Sequence, residues 1–157
     1  MKIRNYKTKI GKNDIPMLVM EKEVEYTLNK ERFHSPDIIQ SMMREAFEID
    51  KETEEYLYLL CFDTKMSLNG VFEISHGTIN MSVASPREMF QKAFLCGAAS
   101  MILVHNHPSG DCSPSEEDMG VFKKMKELGG VMGLPVLDSI IIGRGETPYC
   151  SLKEVLG

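Results

Sequence analysis

The run SMILVHNHPSGDCSPSEED, residues 100–118, sets the tightest limits on how this chain folds. Ser100–Val104 is a continuous apolar stretch, suited to a strand buried on both faces. It leads directly into His105-Asn106-His107. Pro108-Ser109-Gly110 then forces a turn. Ser113-Pro114 joins a capping residue to a proline at the first helical position, and Ser113-x-x-Glu116 has the spacing of a capping box. A helix is therefore expected from there, with Phe122, Met125 and Leu128 as its apolar stripe and Gly129-Gly130 as its end. Strand, turn and helix in that order place polar groups at the carboxyl end of a strand, where α/β folds usually hold ligands.

The rest of the chain alternates in the same way. Ser35-Pro36 opens a helix expected over 36–48, with Ile38, Ile39, Met42, Met43, Ala46 and Phe47 at helical spacing. Tyr56–Phe62 (YLYLLCF) reads as a buried central strand and 63–70 as a turn, with Asn69-Gly70 its strongest signal. Val71–Ile74 returns as a hairpin partner. Ser85-Pro86 opens a second helix, 86–97, with Met89, Phe90, Ala93 and Phe94 inward and Gly97 as its stop. Val136–Ile142 is a third core strand, and Ser151-x-x-Glu154 caps a short terminal helix. In residues 1–34, IPMLVM (15–20) looks like a short strand, in what reads as an added hairpin or arm. The expectation is an α/β fold: one mixed β-sheet sandwiched by helices in a single domain over 35–157, with 1–34 as an N-terminal extension.

Charge and cysteine usage exclude several classes. Eighteen basic against 23 acidic residues give a net charge of −5, which argues against a broad nucleic-acid surface. No apolar run is long enough to cross a bilayer, and the basic start has no apolar segment of a secretion signal behind it. Cys61, Cys96, Cys112 and Cys150 lie far apart with no CxxC pair. They read as free thiols, and the chain as cytoplasmic.

Alternate residues on an extended strand point the same way, so His105 and His107 can converge on one ion. Ser115 and Asp118 share a helix face, and Asp118 can return a carboxylate to that ion. Two imidazoles and a carboxylate suit one zinc ion with a fourth position open, the pattern of catalytic rather than structural sites. Such an ion lowers the pKa of water and polarises a carbonyl. Cys112, between the ligands, is the alternative thiolate, but the set is complete without it. The string His-Asn-His is not an HNH nuclease site, because that metal finger needs separated ligands.

At these residues the chain resembles the JAB/MPN (JAMM) metallopeptidase family, whose signature is HxHP followed by Ser-x-x-Asp, with ten residues between the second histidine and the aspartate. HNHPSGD and PSEED resemble its RadC-like bacterial branch. So do Gly77-Thr78-Ile79-Asn80, Ser85-Pro86-Arg87-Glu88 and Pro135-Val136-Leu137-Asp138 with its following IIIG. The resemblance spans roughly 35–145. It implies a JAB/MPN-like (cytidine-deaminase-like) architecture and a zinc-dependent hydrolase of amide or isopeptide bonds using a metal-activated water. It also implies a glutamate on the first sheet strand as general base. Glu55 matches that context. Glu73 is the rival base, and a solvated cluster with Glu52 and Glu54 is the plainer role for Glu55. Ser115 matches the family serine that donates to the developing oxyanion; its plainer role is to satisfy helix backbone. Full-length members of the branch carry a helix–hairpin–helix-type module, for which residues 1–34 are too short.

Three functions compete. The hydrolase, acting on a protein or peptide, rests on His105, His107, Asp118, Glu55 and Ser115. A non-catalytic MPN-type binding module would keep the fold, though such modules usually lack the ligands. A DNA-repair-associated factor would need salt-dependent DNA binding, which the acidic balance does not support.

Overall fold

A computed structural model describes residues 1–27, 33, 35–77, 84–145 and 148–157. Seven strands form one sheet: β1 (Lys2–Ile10), β2 (Pro16–Glu25), β3 (Tyr56–Phe62), β4 (Leu68–His76), β5 (Ser100–Asn106), β6 (Val136–Ile142) and β7 (Tyr149–Ser151). Their spatial order is β2-β1-β4-β3-β5-β6-β7. β1/β4 and β5/β6 pair in parallel and the remaining neighbours antiparallel, so the sheet is mixed. The helices are α1 (Pro36–Phe47), α2 (Pro86–Leu95), α3 (Glu116–Met132) and α4 (Leu152–Leu156). Among the described residues no helix is long and apolar enough to cross a membrane.

β5 lies in the interior of the sheet and is buried at every position, as its apolar run requires. Its residues alternate between two cores. Met101 and Leu103 face one side with Met89, Phe90 and Ala93 of α2 and Val121, Phe122 and Met125 of α3. Ile102 and Val104 face the other with Ile39, Met42, Met43 and Ala46 of α1. The expected sandwich is therefore present, with α1 on one face and α2 and α3 on the other.

Several local readings are corrected. The turn after β3 is tighter than expected: Asp63 Oδ1 accepts from the Lys65 and Ser67 amides at 2.8 and 2.9 Å. Asn69 and Gly70 lie inside β4 instead. Gly70 lets β1 come close, since a Cβ there would sit 2.9 Å from the Tyr6 ring, and Asn69 Nδ2 donates to the carbonyls of Cys96 and Gly97 beyond α2. Helix α2 ends at Leu95, and Ser85 makes no side-chain cap bond. Helix α3 starts at Glu116 with Ser115, not Ser113, as its cap. It runs through Gly129-Gly130 to a left-handed Gly133. Gly129 is needed for packing: a Cβ there would lie 2.6 Å from the Leu134 carbonyl. The N-terminal hairpin is β1 with β2, whose first strand the residues did not mark out, and it joins the main sheet, β1 touching β4 at Asn5↔Val71; β7 is a further strand that was not expected. Of Gly77-Thr78-Ile79-Asn80, positions 78–80 lie outside the described residues.

Candidate metal centre

Two elements bring the motif together. The end of β5 is fixed on both sides, His105 facing Leu57 of β3 and Ile141 of β6. The His107 amide then donates to the Ile142 carbonyl at 2.9 Å, which carries the extended geometry two residues past His105. Both imidazoles therefore turn to the α3 side. At the start of α3, Ser115 Oγ accepts from the Asp118 amide at 3.1 Å, and the Ser115 amide donates to Asp118 Oδ2 at 2.7 Å. This reciprocal box satisfies two otherwise unpaired helix amides and aims the Asp118 carboxylate at the histidines. The intervening loop is held from behind. The Arg144 amide donates to the Gly110 carbonyl at 3.3 Å, and the Arg144 side chain to the Pro108 carbonyl. Arg44 of α1 secures the loop bearing Arg144 by donating to the carbonyls of Gly143, Gly145 and Pro148 at 3.0–3.2 Å.

Glu55, His105, His107 and Asp118 each offer an atom within 4.8 Å of all the others. His105 Nε2 lies 3.2 Å from His107 Nε2 and 3.0 Å from Asp118 Oδ1. Asp118 Oδ2 lies 3.3 Å from His107 Nε2. Zinc bonds of about 2.0–2.1 Å in a tetrahedron set ligands roughly 3.3 Å apart, so the two imidazole nitrogens match one edge of such a site, and each has a different Asp118 oxygen at a similar distance. Glu55 Oε1 stands 3.5 Å from His107 Nε2 on the more open side.

Electrostatics point the same way. His107 Nδ1 contacts the Asp111 carbonyl at 2.9 Å; a carbonyl only accepts, so Nδ1 carries the proton and the neutral ring turns a lone pair into the cluster. That lone pair meets the Asp118 carboxylate and the His105 ring in a buried place, Asp118 being 6% and His105 3% exposed. A cation there would neutralise the carboxylate. The Asp118 contact pushes His107 upward against the opposing effect of burial, with help from the Asp111 carbonyl and Glu55. Burial would raise Asp118, yet its bonds to His105, His107 and the Ser115 backbone outweigh that and hold it well below the usual carboxylate range.

The structure thus brings together His105, His107, Asp118 and Glu55, with Ser115 bonded to Asp118. The rival Glu73 is exposed and contacts His76 Nδ1 at 3.0 Å instead. Cys112 is half-buried beside Cys150 at a separate surface depression, outside the four-residue group. Sequence reasoning missed Asn106, whose side chain is buried and bonds to backbone at the first residue of β3 and just before it. Its only signal was its place between two histidines.

A family model described as the RadC-like JAB domain matches residues 33–156. Relatives each named "UPF0758 protein" include one from Syntrophomonas wolfei, 44% identical over 76% of this chain and 51% of its own length. One from Methanosarcina barkeri is 42% identical over 80% of this chain and 53% of its own length. Another, from Alkaliphilus oremlandii, is 39% identical over 98% of this chain and 53% of its own length. The chain spans about half the length of these curated relatives, and their names state no activity. With the sandwich and the four-residue cluster in place, the match over most of the chain shows that it belongs to the RadC-like JAB domain family.

Proposed function

We propose that the chain is a zinc-dependent hydrolase of amide or isopeptide bonds in a protein or peptide. His105, His107 and Asp118 would hold the ion, Glu55 would act as general base, and Ser115 would donate to the oxyanion. The observation that carries this reading is the convergence of two imidazole nitrogens and the Asp118 carboxylate at 3.0–3.3 Å, close to the ligand spacing of a tetrahedral ion. Zinc there supplies Lewis acidity, polarising a carbonyl and lowering the pKa of water. Glu55 takes a proton from the attacking water on a carboxylate oxygen as the new C–O bond forms. The same oxygen returns that proton to the departing amine as the C–N bond breaks. Among the described residues Ser115 Oγ is used only as an acceptor, by the Asp118 amide, which leaves its own hydroxyl proton for the oxyanion.

The first test is metal content by mass spectrometry on the wild type and His107→Ala, followed by a peptide and isopeptide panel with Glu55→Ala as control. About one zinc per chain, absent from His107→Ala, with hydrolysis lost in Glu55→Ala, supports the proposal. A wild type that takes up no zinc moves the binding-module reading to first place. Loaded protein that is inert on the whole panel counts against hydrolysis.

A further inference from the structure

Asn106, between the two histidines, belongs to the other face of the sheet, because successive strand residues alternate. It is 1% exposed. Its Oδ1 accepts from the Tyr56 amide at 2.7 Å and its Nδ2 donates to the Glu54 carbonyl at 2.9 Å. The two bonds therefore straddle Glu55. They also lie where the β3–β5 ladder gives out, since Leu57↔His105 is its last backbone pair on that end. The Asn106 carboxamide extends the ladder by one rung, using a side chain for the missing strand. Glu55's own carbonyl accepts from the Gly77 amide at 2.8 Å. Asn106's backbone is meanwhile anchored in register with Ile142 of β6.

We propose that Asn106 is a positioning residue that ties the backbone on both sides of Glu55 to the strand carrying the histidines, fixing the carboxylate relative to the metal centre. The inference rests on the roles proposed for Glu55 and the histidines. The residue type follows from the two partners. One needs an acceptor and the other a donor, side by side, and a carboxamide presents both. Aspartate would set an anion against the Glu54 carbonyl, and serine or alanine would leave at least one buried group unpaired. The same strand thus supplies ligands from one face and aligns the general base from the other.

The test uses the full chain loaded with Co2+ in place of zinc and reads its visible absorption bands, which respond to groups at the ion. Glu55→Ala should alter the bands. Asn106→Ala should reproduce at least half of that change while still holding one metal per chain. Its zinc affinity should fall less than about 10-fold, below the 10–100-fold typical for a lost partner of a ligand. In the double variant Glu55→Ala/Asn106→Ala the bands should match Glu55→Ala alone, because a residue acting through Glu55 has nothing left to position. Asn106→Ser, smaller and still able to make one bond, gives the same comparison if the alanine variant does not fold. Unchanged bands in the Asn106 variants alongside a lowered melting temperature would leave Asn106 a merely structural residue and overturn the proposal. Changes that add in the double variant overturn it as well. Failure of the underlying reading looks different: the wild type takes up no metal, or Glu55→Ala leaves the bands unmoved, and either result removes this inference with it.

Discussion

Asp118 has two jobs that one substitution can separate. Its carboxylate belongs to the candidate metal cluster and is also half of the box that starts α3. Asp118→Asn keeps an oxygen for the Ser115 amide, now 2.7 Å from Oδ2, and keeps its own amide bonded to Ser115 Oγ. Its new NH2 can donate to a neutral imidazole. It removes the negative charge in the first helical turn, worth about 0.3–1 kcal/mol. Asp118→Ala removes that charge and the side-chain acceptor too, a further loss of about 1 kcal/mol. Both variants also lose the carboxylate's contacts with the imidazoles, so the two are compared with each other: at about 2–4 °C per kcal/mol for a chain of this size, metal-free Asp118→Ala should melt roughly 2–4 °C below Asp118→Asn. Zinc binding should behave otherwise. Both variants lose a ligand, so affinity should drop more than about 100-fold, beyond the usual effect of an outer partner. Calorimetry on chelator-treated protein and zinc competition against a chromophoric chelator measure the two quantities. Zinc affinity in Asp118→Asn within 10-fold of the wild type would refute the ligand assignment. An Asn variant as unstable as the Ala variant would refute the division of labour.

Two further perturbations follow from the same geometry. His107 is raised by Asp118, so in metal-free protein its contribution is complete below the ordinary histidine value of about 6.5 and lost as pH rises through the higher folded value. Asp118 is lowered, and its contribution is present above about 3.9 and lost only as pH falls through its folded value. Metal-free protein should therefore need more urea to unfold at about pH 5.5 than at 8.5, and zinc should reverse that order, because ligation requires the unprotonated ring; the same order with and without zinc contradicts this. In α3, Gly130→Ala enters open space and should stabilise by up to about 1 kcal/mol on helix propensity. Gly129→Ala gains the same propensity but meets the Leu134 carbonyl at 2.6 Å and the Val136 amide at 3.2 Å, so it should destabilise. Equal effects at the two glycines in urea unfolding would count against the packing of α3 on the start of β6.

The parts of the fold legible in the sequence were those where pattern and burial coincide. YLYLLCF, SMILV and VLDSIII are apolar enough to need cover on both faces, and each forms an interior strand. The failures share a cause. Asn69-Gly70 and Gly129-Gly130 carry strong local turn and stop signals, yet both lie inside regular elements. In each pair one glycine is required by a close neighbour, the Tyr6 ring or the Leu134 carbonyl, that lies remote in sequence or beyond the helix end. A glycine kept for contact looks the same in one sequence as a glycine kept for a turn. β1 was hidden for a different reason. KIRNYKTKI is largely polar because the hairpin adds to the sheet beyond β4, where most of its positions stay partly or fully exposed.

At the candidate metal centre the same distinction decides what could be read. His105, His107, Ser115 and Asp118 sit in one short stretch, and strand alternation with helix spacing converges them without any knowledge of the rest of the fold. Glu55 lies fifty residues before His105 and reaches the cluster only because β3 pairs antiparallel with β5 in the register Leu57↔His105. A slip of one residue would turn Glu55 to the α1 face and bring Glu54 into its place. Nothing in the run of glutamates at 52, 54 and 55 chooses between those registers. The apolar alternation of YLYLLCF does, since Leu57, Leu59 and Cys61 fill the α2–α3 core and Glu55 continues their face. The position of the proposed base is therefore set by hydrophobic side chains further along its strand, and Asn106 holds the point where that strand leaves the ladder.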